Sequence, residues 1–209
     1  MKSFNYRERA FTLIEILVVL AIIAVIVTFT VPNLEPVLKG SKLKQAADDL
    51  ERALANAQQV AITQNRPVEF RFFRYDDPDS PGGEEYFRSY QAVQVITSAQ
   101  DHREVIEEKV VTEVKSFQLP FVLAEGEYST LIDSDALEQG SAEIPRADNA
   151  EYVAFEFRPN GATNLATVDM PHWTLTIIRD TDKAPVIGEF VTLTVDAYNG
   201  QVRQFNPGK

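Results

Sequence analysis

From Phe11 to Val31 the chain reads FTLIEILVVLAIIAVIVTFTV, apolar throughout except for Thr12, Thr28, Thr30 and one carboxylate, Glu15. As a helix rising about 1.5 Å per residue, such a run is roughly 31 Å long, close to the hydrocarbon thickness of a bilayer. A segment of this kind can span a membrane, and the rest of the chain has to be organised around it. With 209 residues, 44% of them hydrophobic, there is room for one membrane segment and one globular domain with a proper core, but not for two large domains.

The net charge is −11. Lys2, Arg7 and Arg9 against Glu8 place +2 on residues 1–10 and leave −13 on the remainder. A surface that acidic repels phosphate backbones and anionic headgroups, which argues against nucleic acid as a partner. The absence of cysteine excludes disulfides, thiolate metal sites and cysteine nucleophiles, so an exported domain would have to hold together by core packing alone.

Residues 1–10, MKSFNYRERA, are short and basic and lead into the apolar run, as the first region of a secretory signal does. Two features depart from a secretory signal. The apolar run exceeds the roughly 7 to 15 residues of a signal core, and no A-x-A-like cleavage site closes it. An acidic group deep in a membrane helix also costs about 2.5 to 3.5 kcal/mol on insertion scales. Glu15 lies near one end of the run, where snorkelling lowers that cost. A plain signal anchor carrying an incidental acid is one reading of these residues.

The run Ala10-Phe11-Thr12-Leu13-Ile14-Glu15, followed by the apolar helix, resembles the type III signal of type IV prepilins and type II secretion pseudopilins. The resemblance implies that a membrane prepilin peptidase cuts between Ala10 and Phe11 and that Phe11 becomes the N-methylated first residue. It further implies that the helix anchors the subunit in the inner membrane, with the leader cytoplasmic and the C-terminal domain extracytoplasmic, until it enters a filament of other pilin or pseudopilin subunits. Glu15 becomes the fifth mature residue, which in the family guides assembly by neutralising the terminal amine of a neighbouring subunit. A buried charge pair tolerates low dielectric far better than one unpaired charge. Family members usually carry Gly before the cut, and this chain has Ala10, the next smallest side chain. Lys2, Arg7 and Arg9 on one side of the run and Lys39, Lys42 and Lys44 on the other nearly balance under the positive-inside rule, so orientation rests on the resemblance.

Pro32 lacks an N–H and its ring strikes the preceding turn, so it is expected to end or kink the first helix. In the mature frame it is the twenty-second residue, where type IV pilins often place a kinking proline. Pro36 and Gly40 extend the interruption into a bent connector over residues 32–41, and Ser41 is a plausible N-cap for a second helix. From Lys42 to Thr63, Leu43, Ala46, Ala47, Leu50, Leu54, Ala57 and Ala61 recur at spacings of three and four, the pattern of an amphipathic helix packed on its own sheet.

The remainder reads as strands. Pro67 to Tyr75 alternates, with Val68, Phe70 and Phe72 on one face and Glu69 and Arg71 on the other, the period of a half-buried strand. Asp76 to Glu85 is a turn-rich loop, Tyr86 to Ile96 resumes alternation, and Glu107 to Leu119 contains another strand. Glu125 to Asn149 has weak periodicity and reads as a loop with short elements near Leu131 and Ile132. Strands follow at Tyr152–Arg158, Trp173–Arg179 and Glu189–Asp196, and Asn199-Gly200 turns into Gln201–Phe205. A long helix followed by successive strands predicts an α+β domain over residues 42–209, an antiparallel sheet packed on the helix; with the N-terminal resemblance, a pilin-like fold.

Phe155-Glu156-Phe157-Arg158-Pro159-Asn160-Gly161 resembles the strand and Pro-x-Gly turn of H-class minor pseudopilins and FimT-like minor pilins. Ala10 to Glu15, Asn65-Arg66-Pro67-Val68-Glu69, Tyr152 to Gly161 and Asn199-Gly200-Gln201-Val202-Arg203 together resemble, over nearly the full length, the prepilin-like family called Verru_Chthon cassette protein D.

No catalytic constellation stands out: there is no G-x-S-x-G, no Gly-rich phosphate loop and no H-E-x-x-H. His102 and His172 are the only histidines, which disfavours a zinc site. Asp76, Asp77 and Asp79, or Asp133 and Asp135, offer hard oxygens suited to Ca²⁺; neither run has EF-hand spacing, and both read as solvated loops. Phe70, Phe72, Phe155, Phe157 and Trp173 read as core, whereas Phe73, Tyr75, Tyr86, Phe87 and Tyr90 flank the Asp76 loop and include candidates for a partner surface. The expectation is a filament subunit with no cofactor, a substrate of a peptidase and not an enzyme. The alternative is a membrane-anchored binding module that recognises an exported protein or surface polymer.

Overall fold

The computed structural model describes residues 11–77, 79, 84–97, 105–134, 137–167, 172–182 and 189–205, with the side chains of residues 27–39, 97, 105 and 106 outside that description. The chain divides into two compact units, residues 1–41 and residues 42–209. The helix assignment α1 runs Leu13–Gln64. Residues 32–41, expected as a connector, are therefore helical. Proline removes one helical hydrogen bond at a cost of about 3 kcal/mol, and the long helix-forming runs on either side of Pro32 outweigh that local loss.

Within residues 42–209, the alanine and leucine stripe does what its spacing predicts. Leu43, Ala46, Ala47, Leu50, Leu54, Ala57 and Ala61 are buried, together with Ala53. Alanine at five of these eight positions lets the helix lie close to the aromatic face of the sheet. The helix ends at Asn65, whose φ of 49° is the left-handed conformation of a C-terminal cap. Asn65 N donates to Ile62 O at 3.3 Å and Arg66 N to Ala61 O at 3.2 Å, the two bonds of a Schellman motif.

The strands are β1 (Val68–Asp76), β2 (Glu85–Thr97), β3 (Val105–Val110), β4 (Lys115–Ser116), β5 (Phe121–Leu123), β6 (Glu138–Ile144), β7 (Ala147–Phe157), β8 (Trp173–Arg179), β9 (Val191–Val195) and β10 (Val202–Phe205). They form one antiparallel sheet in the order β10-β9-β8-β5-β2-β1-β7-β6, with β3 and β4 pairing on β2. β5 is short, yet it joins β2 to β8 and so connects the two halves of the sheet. The face toward α1 carries Phe70, Phe72, Phe155 and Phe157, with Leu175, Ile177 and Leu193 continuing the same core. Phe70 and Phe155 have ring centroids 6.1 Å apart, and Phe155 and Phe157 meet edge to face at 4.9 Å.

Three expectations are corrected. The stretch Glu125–Asn149, expected as a loop, contains β6 and the start of β7, joined through Pro145 and Arg146. Its pairing is visible only in three dimensions because β6, EQGSAEI, carries a single large apolar residue. Glu69 and Arg71, expected on a solvated face, are 8% and 4% exposed. Phe73, Tyr75, Phe87 and Tyr90 are buried and are not a partner surface. Phe73 and Tyr75 build a second small core with Ile144 and Ala150 on the opposite side of the sheet, so both faces of β1 are covered and alternation no longer separates inside from outside.

A candidate processing and assembly site at the amino terminus

The first helical turn is set by Thr12, a residue type that caps helices because its hydroxyl reaches back to a free backbone N–H. Thr12 Oγ1 accepts from Glu15 N at 3.3 Å, and Glu15 Oε2 accepts from Thr12 N at 3.5 Å. This reciprocal pair is a capping box, in which a threonine and a glutamate three residues on satisfy one another's backbone donors. The carboxylate also sits where the helix dipole favours negative charge. Thr12 is not among the residues singled out from sequence, although the spacing Thr-x-x-Glu before an apolar run is a legible helix-start signal.

Phe11 precedes the cap and is 75% exposed. Beyond it, Leu13, Ile14, Ile16, Leu17, Val18 and Val19 are all exposed. Successive helical residues point about 100° apart, so these six surround the axis. An all-round apolar helix requires cover from lipid or from other helices, unlike the one-sided stripe of Leu43 to Ala61. Among the described residues no helix is long and apolar enough to cross a membrane; the side chains of residues 27–31, at the end of the apolar run, lie outside the description. Ala10 and the side chain of Pro32 lie outside the described residues.

The acidic runs are used by the fold where they are described. Arg146, in the turn between β6 and β7, bridges Asp77 and Asp79, which raises the Arg146 pKa through the Asp77 charge. Asp133 is exposed, and Asp135 is outside the description. Among the described residues no group of three or more His, Asp or Glu side chains is placed to hold a metal ion. His172 is exposed one residue before β8, and His102 is outside the description.

A charged network lies on the sheet face away from α1. Arg71 Nε donates to Glu69 Oε1 at 2.5 Å, and its two terminal nitrogens donate to Glu108 at 3.0 and 2.8 Å. Tyr152 lies 4.6 Å below the guanidinium. Burial pushes Glu69 up despite Arg71, whereas the bidentate bond from Arg71 holds Glu108 below its ordinary value. This network joins β1, β3 and β7; its groups are paired with one another, the arrangement of a structural ion cluster.

The family described as the prokaryotic N-terminal methylation motif matches residues 5–31. Residues 5–31 carry an N-terminal methylation motif. Two solved structures are similar over most of the chain. The minor pseudopilin EpsH from the type 2 secretion system of Vibrio cholerae is 15% identical, with a TM-score of 0.42, covering 80% of this chain and 99% of that one. The type IV minor pilin FimU of Pseudomonas aeruginosa is 14% identical, with a TM-score of 0.39, covering 81% and 92%. No curated protein matches the chain.

Proposed function

We propose that the chain is a minor pseudopilin-like subunit that assembles into, or primes, a type IV pilus or type II secretion pseudopilus. The observation that carries this reading is the methylation motif over residues 5–31 ending in a helix that is apolar on every side. In this reading a prepilin peptidase removes residues 1–10, cutting between Ala10 and Phe11. Phe11 is N-methylated, and the helix passes from the inner membrane into packing with equivalent helices. Removal of the leader creates a cationic amine one residue before the Thr12 cap, at the helix end whose dipole is positive and therefore unfavourable to it. Glu15, already held at that end by Thr12, is the carboxylate available to neutralise an amine there. Verru_Chthon cassette protein D is the finer assignment we propose, supported by the Ala10 to Glu15 and Tyr152 to Gly161 runs.

The test is an N-terminal mass spectrum of the protein isolated from membranes containing a prepilin peptidase. The expected terminus is N-methylated Phe11, and a chain that retains Met1 in the presence of active peptidase overturns the reading.

A further inference from the structure

A cleft of about 320 Å³ opens between α1 and the short strand β4. One side is a stripe of α1, Lys42, Ala46 and Asp49, at helical spacings of four and three. The other side carries Lys115 of β4, which stands opposite Tyr90 in the β2–β4 pairing. Cross-strand partners share a face of the sheet, and Ser116, the next residue, points the other way to bond Ser89 Oγ at 2.8 Å. Tyr90 also lines the cleft and is 3% exposed. Its ring is held by Phe70, stacked at 5.8 Å, and Phe117, tilted at 5.3 Å, so the hydroxyl has a fixed direction. Burial, and then the Asp49 charge across the cleft, push the Tyr90 pKa up to about 12, which keeps the hydroxyl a donor at neutral pH.

Three donors therefore meet at this cleft without an acceptor. Among the described residues no hydrogen bond or ion pair ends on the Tyr90 hydroxyl, the Lys42 ammonium or the Lys115 ammonium. Asp49, the carboxylate of the lining, accepts from Arg52 at 3.3 Å. A deeply placed hydroxyl with no protein partner calls for a bound acceptor. Water can satisfy the hydroxyl, but it cannot neutralise two ammoniums. The donors come singly from α1, β2 and β4, an arrangement suited to an oxyanion whose oxygens point in several directions. A planar carboxylate is matched instead by a guanidinium fork, and no arginine lines this cleft. The acidic surface as a whole repels phosphate, so saturable binding requires such a local convergence.

We propose that this cleft binds a phosphate group, with Lys42, Lys115 and the Tyr90 hydroxyl donating to its oxygens and so joining α1 to β4. The phosphate is either a soluble one or that of a phospholipid headgroup, the recognised chemistry being the same. The site belongs to residues 42–209 and stands independently of the filament reading.

The experiment is calorimetric titration of the full chain in neutral detergent at constant ionic strength. Inorganic phosphate and dihexanoyl phosphatidylglycerol below its micelle concentration are the probes, with chloride as the control. Saturable binding of at least one probe is expected, and none of chloride. Tyr90→Phe keeps the ring and is expected to weaken binding about tenfold, while the unfolding midpoint of the unliganded protein stays unchanged because the hydroxyl bonds nothing in the domain. Lys42→Gln and Lys115→Gln should each weaken binding about fivefold, and Asp49→Asn should strengthen it by a similar factor. Tighter binding of the lipid assigns the site to a headgroup, and tighter binding of the ion assigns it to a soluble phosphate; both support the proposal. No saturable binding of either probe, an equal response to chloride, unchanged affinity in the folded lysine variants, or weaker binding by Asp49→Asn overturns it. A fall in the midpoint of unliganded Tyr90→Phe makes the hydroxyl a structural group and also overturns it. Should Tyr90→Phe fail to fold, the lysine and Asp49 variants decide the matter.

Discussion

Gln58 occupies the space that a side chain at Gly200 would need: a Cβ added there would lie 2.5 Å from Gln58 Nε2 and 2.6 Å from Gly161 O. The same Nε2 donates to Gly161 O at 2.7 Å and to Asn199 O at 2.6 Å. One amide on α1 thus ties down the turn after β7 and the turn between β9 and β10. Both glycines adopt positive φ, 85° at Gly161 and 65° at Gly200, which any Cβ disfavours. Gly200→Ala is expected to destabilise the domain by about 1 to 3 kcal/mol through strain and overpacking. Gln58→Ala is expected to cost a similar amount by leaving two carbonyls without their donor. The double variant should cost less than the sum, because removing Gln58 removes part of the clash. Urea unfolding followed by far-ultraviolet circular dichroism measures all three, and strict additivity would reject the coupling.

The second prediction concerns pH. Glu69 and Glu156 face each other across β1 and β7. Burial raises Glu156 above its ordinary 4.5, Arg158 lowers it, and Glu69 and Glu138 raise it again. A carboxyl whose folded pKa lies above its unfolded one binds its proton more tightly when folded, so its contribution is full below about 4.5 and is lost as pH rises through the folded value. Glu156→Gln removes that loss. The variant is therefore expected to gain stability relative to wild type as pH goes from 4 toward 7, read as a widening difference in unfolding midpoint. A constant difference across that range would show that Glu156 titrates alike in both states.

Legibility of the fold followed the strength of periodic signals. The stripe Leu43 to Ala61 and the strand Val191–Val195, within the expected Glu189–Asp196, were readable because one face of each meets the core and the apolar spacing records it. β5 was not readable, since three residues after Pro120 are too few to show a period. The burial of Arg71 depends on Glu108, 37 residues away, and on Tyr152, far along the chain, none of which leaves a mark on local alternation. At the amino terminus the motif Ala10 to Glu15 was readable as a string, and the structure adds the bonds between Thr12 and Glu15.

The capping role of Glu15 and its proposed assembly role separate by substitution. As the third residue of a capping box, it is replaceable by glutamine, which also accepts from the Thr12 N–H. As a neutralising charge, it is not. Glu15→Gln is expected to keep the first helical turn and to fail to enter filaments, whereas Thr12→Ala loosens the cap by about 0.5 to 2 kcal/mol and retains incorporation. Glu15→Ala and Glu15→Lys should also block incorporation while residues 42–209 stay folded. Sheared-filament immunoblots with a membrane-fraction control provide the readout, and normal incorporation of Glu15→Gln would leave capping as the sole role of the residue.

The proposed processing departs from the prepilin pattern at Ala10, which stands in place of glycine. If the peptidase selects the residue before the cut for lack of bulk, rate should follow side-chain size there. Ala10→Gly is expected to be cleaved at least as fast as wild type, and Ala10→Leu to accumulate as the uncleaved form in the membrane. In the proposed processing residue 10 is absent from the mature protein, so these substitutions leave its composition unchanged, and a loss of filaments in Ala10→Leu is then a loss of processing alone. Pulse-chase labelling with mass measurement of the terminus separates the two forms. Equal cleavage of Ala10→Leu would show that recognition rests on Phe11 to Glu15 and the apolar helix, with no size limit at the residue before the scissile bond.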